Sequence, residues 1–102
     1  MMDHRDAEQF AAASADTVTR GGTFAELLGP GVDPAPFEER TNALRARVGP
    51  VVVSVDEVVC EGDRVAWRWT LRAGTTAMTG VNFQRLASGR LLEHWTLVGS
   101  AT

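Results

Sequence analysis

The first half of the chain, residues 1–50, has the spacing of apolar residues that is typical of helices. Between Asp6 and Thr19, residues suited to a buried face recur at intervals of three and four, namely Ala7, Phe10, Ala11, Ser14 and Val18. Gly21 and Gly22 end this helix, because glycine readily adopts the positive φ of a helix terminus. The pattern predicts a short second helix over Phe24–Leu28 and a third helix that starts after Asp33, has its apolar face on Phe37, Thr41, Leu44 and Val48, and ends at Gly49-Pro50.

The second half predicts four antiparallel strands joined by tight turns. Apolar and polar residues alternate from Val65 to Arg72, which is the period-two pattern of a strand. Glycine-containing turns separate this strand from its neighbours. The four predicted strands are Val51–Cys60, Arg64–Arg72, Thr76–Leu86 and Arg90–Val98. The sequence therefore predicts a single α+β domain over residues 1–102, with three short helices packed on the concave face of a four-stranded meander.

The register of the last hairpin decides which side chains share a face of the sheet. A two-residue primed turn would need Ser88 at positive φ, which suits Asn or Asp better. A three-residue loop places Gly89 in the left-handed bulge position, where glycine is favoured, and therefore agrees better with these residues. We therefore expect Asn82 to pair with His94 and Gln84 with Leu92, although the sequence does not exclude the opposite register.

Both faces of the last two predicted strands carry apolar residues. In the favoured register one face holds Asn82, Gln84, Leu92, His94, Thr96 and Val98. The other face holds Val81, Phe83, Arg85, Leu91, Glu93, Trp95 and Leu97, with Arg85 and Glu93 close enough for an ion pair. Three helices can cover only one face, so a homodimer through the face that contains Trp95 is expected.

The net charge and the number of cysteines argue against some classes of partner and of covalent cross-link. The formal net charge is −3, and the ten basic residues, all arginine, are scattered along the chain. This disfavours a nucleic-acid partner, which needs a basic stripe. Cys60 is the single cysteine and excludes an intrachain disulfide. The polar start of the chain and the lack of a long apolar run predict a cytoplasmic protein with no membrane partner.

Three sequence blocks carry a family resemblance. They are VVCEGDRVAWRWTLR (residues 58–72), GVNFQRL (residues 80–86) and GRLLEHW (residues 89–95). In this order and spacing they resemble the SnoaL-like polyketide cyclase branch of the nuclear transport factor 2-like superfamily. The resemblance implies a curved sheet around a cone-shaped pocket, usually in a dimer. Members of the family include cyclases, isomerases, epoxide hydrolases, dehydratases and non-catalytic scaffolds, so the fold leaves the reaction open.

His94 and Asn82 are the candidate catalytic residues. An imidazole can transfer protons near neutral pH, and an amide can donate a hydrogen bond to a developing oxyanion. The resemblance implies the same role for Asn82, which stands where ketosteroid isomerases have an oxyanion-hole acid. The favoured register places the two Cβ atoms about 4.5–5.5 Å apart, and burial beside a neutral amide should lower the pKa of His94.

Four further residues are predicted to bind substrate. Trp67 and Trp69 would form an apolar wall, while Gln84 and Thr96 would orient a substrate oxygen. The alternative is that Trp67 and Trp69 are ordinary core residues. For His94 and Asn82 it is that both are satisfied polar side chains on a half-wet face of the sheet. Neither a cofactor nor a metal ion is expected, because acid–base chemistry at an enolisable or strained centre needs neither.

Two functions are compatible with these residues. The first is a cofactor-independent cyclase or isomerase for a polyketide-like or other apolar carbonyl or epoxide substrate, in bacterial secondary metabolism. The second is a non-catalytic ligand-binding or dimerisation module of the same fold. Gly99, where many relatives have Asp, and the short segment Gly29–Pro36 favour the second function.

Overall fold

The computed structural model describes residues 2–99, which form two α-helices and four β-strands. The helices are α1 (His4–Arg20) and α2 (Ala35–Val48), and the strands are β1 (Val52–Glu61), β2 (Arg64–Ala73), β3 (Thr76–Ala87) and β4 (Arg90–Gly99). The strands form one antiparallel sheet in the order β1-β2-β3-β4. This confirms the predicted α+β class and the four-stranded meander.

Helix α1 begins two residues earlier than the apolar spacing predicts, because a capping box fixes its first turn. The Asp6 amide donates to Asp3 Oδ1 at 2.8 Å, and the Asp3 amide donates to Asp6 Oδ2 at 3.3 Å. At the other end Gly21 adopts a left-handed conformation with φ of 70° and donates to the carbonyls of the last turn. Ala7, Phe10 and other small or apolar residues of α1 are buried against the sheet.

The prediction of three helices is wrong. The predicted second helix, Phe24–Leu28, is a single 3₁₀ turn at Ala25–Leu27. After this turn the segment runs to the sheet, where Leu28 and Leu91 form an isolated parallel β-bridge. The Gly29 amide donates to the Leu91 carbonyl at 2.8 Å. A five-residue segment between two glycine-rich stretches is too short to offset the cost of helix nucleation.

Helix α2 lies over the sheet and is attached to the rest of the chain mainly near its two ends. Near its start Glu38 accepts a hydrogen bond from the Phe24 amide at 3.1 Å. Near its end Arg45 Nη1 donates to the carbonyls of Val18 and Thr19, at 2.9 and 2.8 Å. Thr41 is the only fully buried residue of the helix. Val48, predicted to belong to its apolar face, is exposed.

The hydrophobic core lies between α1 and the covered face of the sheet. Along β2 the covered face is occupied by Val65, Trp67, Trp69 and Leu71, all buried, while the intervening residues are more exposed. A bulge at Asp56 and Glu57 in β1 keeps valines on the covered face on both sides of the irregularity. The chain thus places both central tryptophans under the helices.

The predicted register of the last hairpin is wrong. Ala87 pairs with Arg90, so Ser88 and Gly89 form a two-residue turn in which both have positive φ, 53° and 77°. This is the primed turn whose twist matches that of the strands. The bulge lies at Leu92, the third residue after the turn, which has no partner in the β3–β4 pairing. The turn and the bulge each shift the register by one residue, so Asn82 pairs with Thr96 and Gln84 with His94.

Most of the predicted division between the two faces survives, because the two shifts together equal one full pleat. Leu91 is the exception. The sequence predicts it on the open face, but it pairs with Leu86 and is buried on the covered face. The open face carries Val81, Phe83, Trp95 and Leu97, which are 40, 43, 52 and 78% exposed. The predicted ion pair between Arg85 and Glu93 is present, with Arg85 Nη2 2.5 Å from Glu93 Oε1.

Candidate functional site

A cavity of about 470 Å³ lies between the covered face of the sheet and the helices. Its walls are mainly apolar and include Phe10, Phe24, Phe37, Leu44, Leu71 and Met78. All six residues predicted from the sequence also line it: Trp67, Trp69, Asn82, Gln84, His94 and Thr96. The volume lies within the range of small-molecule pockets.

Hydrogen bonds join the six predicted residues into one chain along the cavity wall. Trp67 Nε1 donates to Gln84 Oε1 at 2.8 Å, and Gln84 Nε2 lies 2.9 Å from His94 Nδ1. His94 Nε2 lies 2.7 Å from the Thr96 hydroxyl. That hydroxyl donates to Asn82 Oδ1 at 2.9 Å, and Trp69 Nε1 donates to the same oxygen at 2.9 Å. The two indoles therefore anchor the two ends of a polar chain.

The donor and acceptor roles in this chain determine the tautomer of His94. An indole N–H can only donate, so the Trp67 bond holds the carbonyl oxygen of Gln84 towards Trp67 and leaves its amide nitrogen facing His94. An amide nitrogen also only donates, so His94 Nδ1 must accept. The proton of the neutral ring consequently lies on Nε2, which donates to Thr96.

The pKa of His94 is well below its ordinary value. Burial of the ring is the larger cause and the positive charge of Arg40 the smaller, and together they lower this pKa from 6.5 to about 4. The ring of Phe37 packs edge-on against the imidazole, with centroids 5.5 Å apart. The direction agrees with the sequence prediction, and His94 is neutral at pH 7.

Asn82 and His94 are not the direct cross-strand neighbours that the sequence predicts. Thr96 lies opposite Asn82, and its hydroxyl connects Asn82 Oδ1 to His94 Nε2. Asn82 Oδ1 already accepts two hydrogen bonds. Within residues 2–99 its amide nitrogen has no hydrogen-bond partner, so that nitrogen retains donors for a ligand.

The charged residues at the cavity are arginines. Arg40 and Arg47 line it from α2, and no Asp or Glu of residues 2–99 does so. Neither arginine is among the residues predicted from the sequence. Their spacing to Leu44, four and three residues along the helix, is the signal that places all three on one side of α2. No group of potential metal ligands exists in the described part of the chain.

Glu93 lies outside the cavity. Its carboxylate accepts from Arg85 Nε at 2.7 Å, and the residues of this pair are partly exposed. The other carboxylate near this arginine is Asp63, 3.7 Å from Nη1. Glu93 therefore has a structural partner and takes no part in the candidate site.

Comparisons with known proteins agree with this architecture. The sequence model of the SnoaL-like domain matches residues 1–94. IdmH of Streptomyces antibioticus, a candidate polyketide cyclase, superimposes with a TM-score of 0.75 over 90% of this chain and 91% of its own, at 19% identity. A candidate ketosteroid isomerase of Kribbella flavida gives 0.76 over 96% and 81%, at 17% identity.

Two further matches say nothing about activity. A de novo designed protein with a curved β-sheet superimposes with a TM-score of 0.74 at 14% identity, over 96% of this chain and 88% of that chain. An alignment 64 positions long, which covers 60% of this chain, is 48% identical to the phenylalanine–tRNA ligase beta subunit of Anaplasma marginale but covers only 7% of that protein. Among residues 2–99, no helix has the length and apolarity needed to span a membrane.

Proposed function

The chain belongs to the SnoaL-like domain family, and on that premise we propose that it is a cofactor-independent cyclase or isomerase for an apolar carbonyl or epoxide substrate of polyketide-like character. The observation that carries the proposal is the polar chain from Trp67 to Trp69 through Gln84, His94, Thr96 and Asn82 on the wall of an otherwise apolar cavity. Such a pocket holds an apolar body and directs one oxygen to fixed donors.

Asn82 and His94 would act as the donors to the substrate oxygen. The amide nitrogen of Asn82 donates to that oxygen as negative charge develops on it. The neutral imidazole donates from Nε2 once the substrate oxygen takes the place of the Thr96 hydroxyl. A neutral ring suits this role, because its low pKa keeps the donor in one protonation state at pH 7.

The missing carboxylate in the cavity lining, as described for residues 2–99, restricts the reaction type. His94 Nδ1, the only unprotonated ring nitrogen, already accepts from Gln84, so no strong general base is available on the wall. The pocket therefore suits substrates whose C–H bond is acidified enough by flanking carbonyl groups for solvent water to accept its proton, or strained rings that solvent water opens once their oxygen is polarised. For such substrates positioning and oxyanion stabilisation supply most of the rate.

We also propose that two copies associate through the open face of the sheet. Phe83 and Trp95 form an aromatic pair there, with centroids 6.3 Å apart. Trp95 and Leu97 are more than half exposed. An apolar patch of this kind on a sheet suits a self-complementary contact about a two-fold axis.

The test uses an aromatic 1,3-diketone, whose enolisation is followed by absorbance, and an aromatic triketone that cyclises by aldol addition. His94→Ala should abolish turnover without loss of the circular-dichroism signal. Asn82→Leu should lower kcat by about 10²–10³-fold, as removal of one oxyanion donor does. Arg90→Gln, at an exposed site outside the cavity, is the control. Turnover that survives His94→Ala would contradict the proposal.

A non-catalytic ligand-binding module is the second candidate. The contact that favours it is the hydrogen bond from Gln84 to His94 Nδ1, which leaves the imidazole without a basic lone pair for the cavity. A binder would hold apolar ketones with measurable affinity and convert none of them. Calorimetric binding of both test compounds without product formation would establish this second function.

A further inference from the structure

Two arginines at the rim of the cavity have no carboxylate partner among residues 2–99. Arg40 and Arg47 both line the cavity from α2, and both are exposed to solvent. Within residues 2–99 neither takes part in an ion pair. Arg20, Arg68 and Arg85 each have an acidic partner. Of the other arginines without an ion pair among residues 2–99, only Arg40 and Arg47 line the cavity. In a chain of net charge −3, two unpaired guanidinium groups beside one opening are a local excess of positive charge.

The side chain of Arg40 is held at this rim by its surroundings. Its guanidinium carbon lies 5.8 Å from the centroid of the Phe37 ring, which is a cation–π distance. Phe37 in turn packs on Phe24, with centroids 5.7 Å apart, and against His94. The packed rings of Phe24, Phe37 and His94 therefore hold the Arg40 guanidinium at the edge of the apolar cavity. A ligand can contact this guanidinium without displacing an existing ion pair.

The described lining of the cavity offers no competing negative charge. No Asp or Glu among residues 2–99 lines it, and Arg40 is close enough to lower the pKa of His94 through its charge. An anionic ligand group would thus meet attraction from α2 and no carboxylate on the wall. A neutral ligand of the same shape would lack this attraction between opposite charges.

We propose that the natural ligand is an apolar molecule with a carboxylate, bound with its apolar body in the cavity and its carboxylate at Arg40 and Arg47. This inference rests on the proposed small-molecule pocket and adds the charge of the ligand to it. A carboxylate matches one planar guanidinium in a bidentate contact. Seven residues along a helix separate the two Cα atoms by about 10.5 Å, and both side chains line the same cavity, so both charges attract one carboxylate bound at its rim.

The test compares naphthoate with naphthamide, which have the same shape and differ in charge, by isothermal titration calorimetry. Naphthoate should bind the wild-type protein more tightly than naphthamide, and more weakly as salt rises. Arg40→Gln and Arg47→Gln should each weaken naphthoate binding by about two- to fivefold, which is typical of exposed ion pairs, and leave naphthamide unchanged. Arg90→Gln is the matched control, since it removes the same charge outside the cavity.

The outcomes separate this inference from the proposed function. Equal affinity of naphthoate and naphthamide, or an equal loss of both in the arginine variants, overturns the inference while the apolar pocket stands. Selective loss of naphthoate binding supports the inference even where no turnover of any ketone is found. Failure of naphthoate to bind at all overturns the inference, and failure of both compounds counts against the proposed pocket as well.

Discussion

The Gln84 side-chain amide donates to His94 Nδ1 across 2.9 Å and thereby fixes which ring nitrogen carries the proton. Protonation of His94 would place an N–H against another N–H donor. Rotation of the Gln84 amide would not relieve this, because its nitrogen would then face the indole N–H of Trp67. Two neutral side chains thus oppose the charged form of the imidazole, in addition to burial and Arg40.

Acid should destabilise the protein through His94. The pKa of His94 is about 4 in the folded state and about 6.5 when unfolded, so the unfolded chain binds more protons between these two values. The free energy of unfolding should therefore fall by about 1–2 kcal/mol as the pH is lowered from 7 to 4, after allowance for solvent around this half-buried ring.

His94→Gln isolates this contribution from that of the carboxylates. Urea denaturation at several pH values should show a smaller loss of stability between pH 7 and 4 in this variant than in the wild-type chain. His4→Gln is the matched control, because His4 is the other of the two histidines and is exposed on α1. An equal acid dependence in all three proteins would show that His94 is not buried as a neutral base.

Gln84→Glu should raise the pKa of His94. The introduced carboxylate can accept from both Trp67 Nε1 and a protonated His94 Nδ1, so it stabilises the imidazolium that the amide opposes. An adjacent opposite charge of this kind shifts a pKa by about 1–3 units. Titration of the histidine resonances by NMR measures the change. Gln84→Met, which removes the hydrogen bond but adds no charge, should leave the pKa low.

Gly80→Ala should destabilise the sheet and disturb the cavity. A Cβ at this position would overlap the six-membered ring of Trp69 and lie 2.8 Å from the carbonyl oxygen of Leu97. Trp69 would have to move, which would break its bond to Asn82. We expect a loss of about 1–3 kcal/mol in denaturant unfolding, together with a changed near-ultraviolet tryptophan signal.

The control for this substitution is Gly22→Ala, where the nearest atom to a Cβ is 3.9 Å away. Its stability should stay within about 0.5 kcal/mol of the wild-type value. If Gly80→Ala lost no more stability than Gly22→Ala, the sheet would tolerate a methyl group at Gly80. The backbone at Gly80 would then not hold Trp69 in place.

Trp95→Glu should convert the proposed dimer into a monomer. A carboxylate in place of this indole would face Phe83 and Leu97 and their copies across the two-fold axis, and its desolvation would oppose association. Sedimentation equilibrium measures the mass. Val48→Glu, at an exposed position of α2, should remain dimeric. A wild-type monomer, or a Trp95→Glu dimer of unchanged affinity, would contradict the sheet-face contact.

The sequence predicts the strands better than it predicts their exact pairing. The alternation from Val65 to Leu71 reports burial directly, because each side chain has its own environment. Pairing between β3 and β4 depends on Ser88 adopting positive φ, which is unfavourable for serine taken alone. The bulge at Leu92 that follows has no local sequence signal, because it results from packing both Leu91 and His94 on the covered face.

The helical half shows the opposite limitation. The capping box of Asp3 and Asp6 is readable from the sequence and would have placed the start of α1 correctly. The positions of Arg40 and Arg47 at the cavity rim cannot be read from the sequence. A solvated arginine on a helix and one at a cavity edge have the same sequence pattern. What places Arg40 at the cavity is the packing of its helix neighbour Phe37 against His94 of β4, a contact that exists only in the folded chain.

The paired turn and bulge of the last hairpin constrain how this chain can be aligned with its relatives. A family member that lengthens the turn at Ser88 and Gly89 by one residue keeps its histidine under the helices only if it also removes the extra residue at Leu92. The two length changes are coupled, although they lie at separate places in the hairpin. An alignment with a gap at one site alone would match the relative's histidine with Trp95 instead of His94. Functional residues of a relative should therefore be assigned to this chain only after both gaps have been placed.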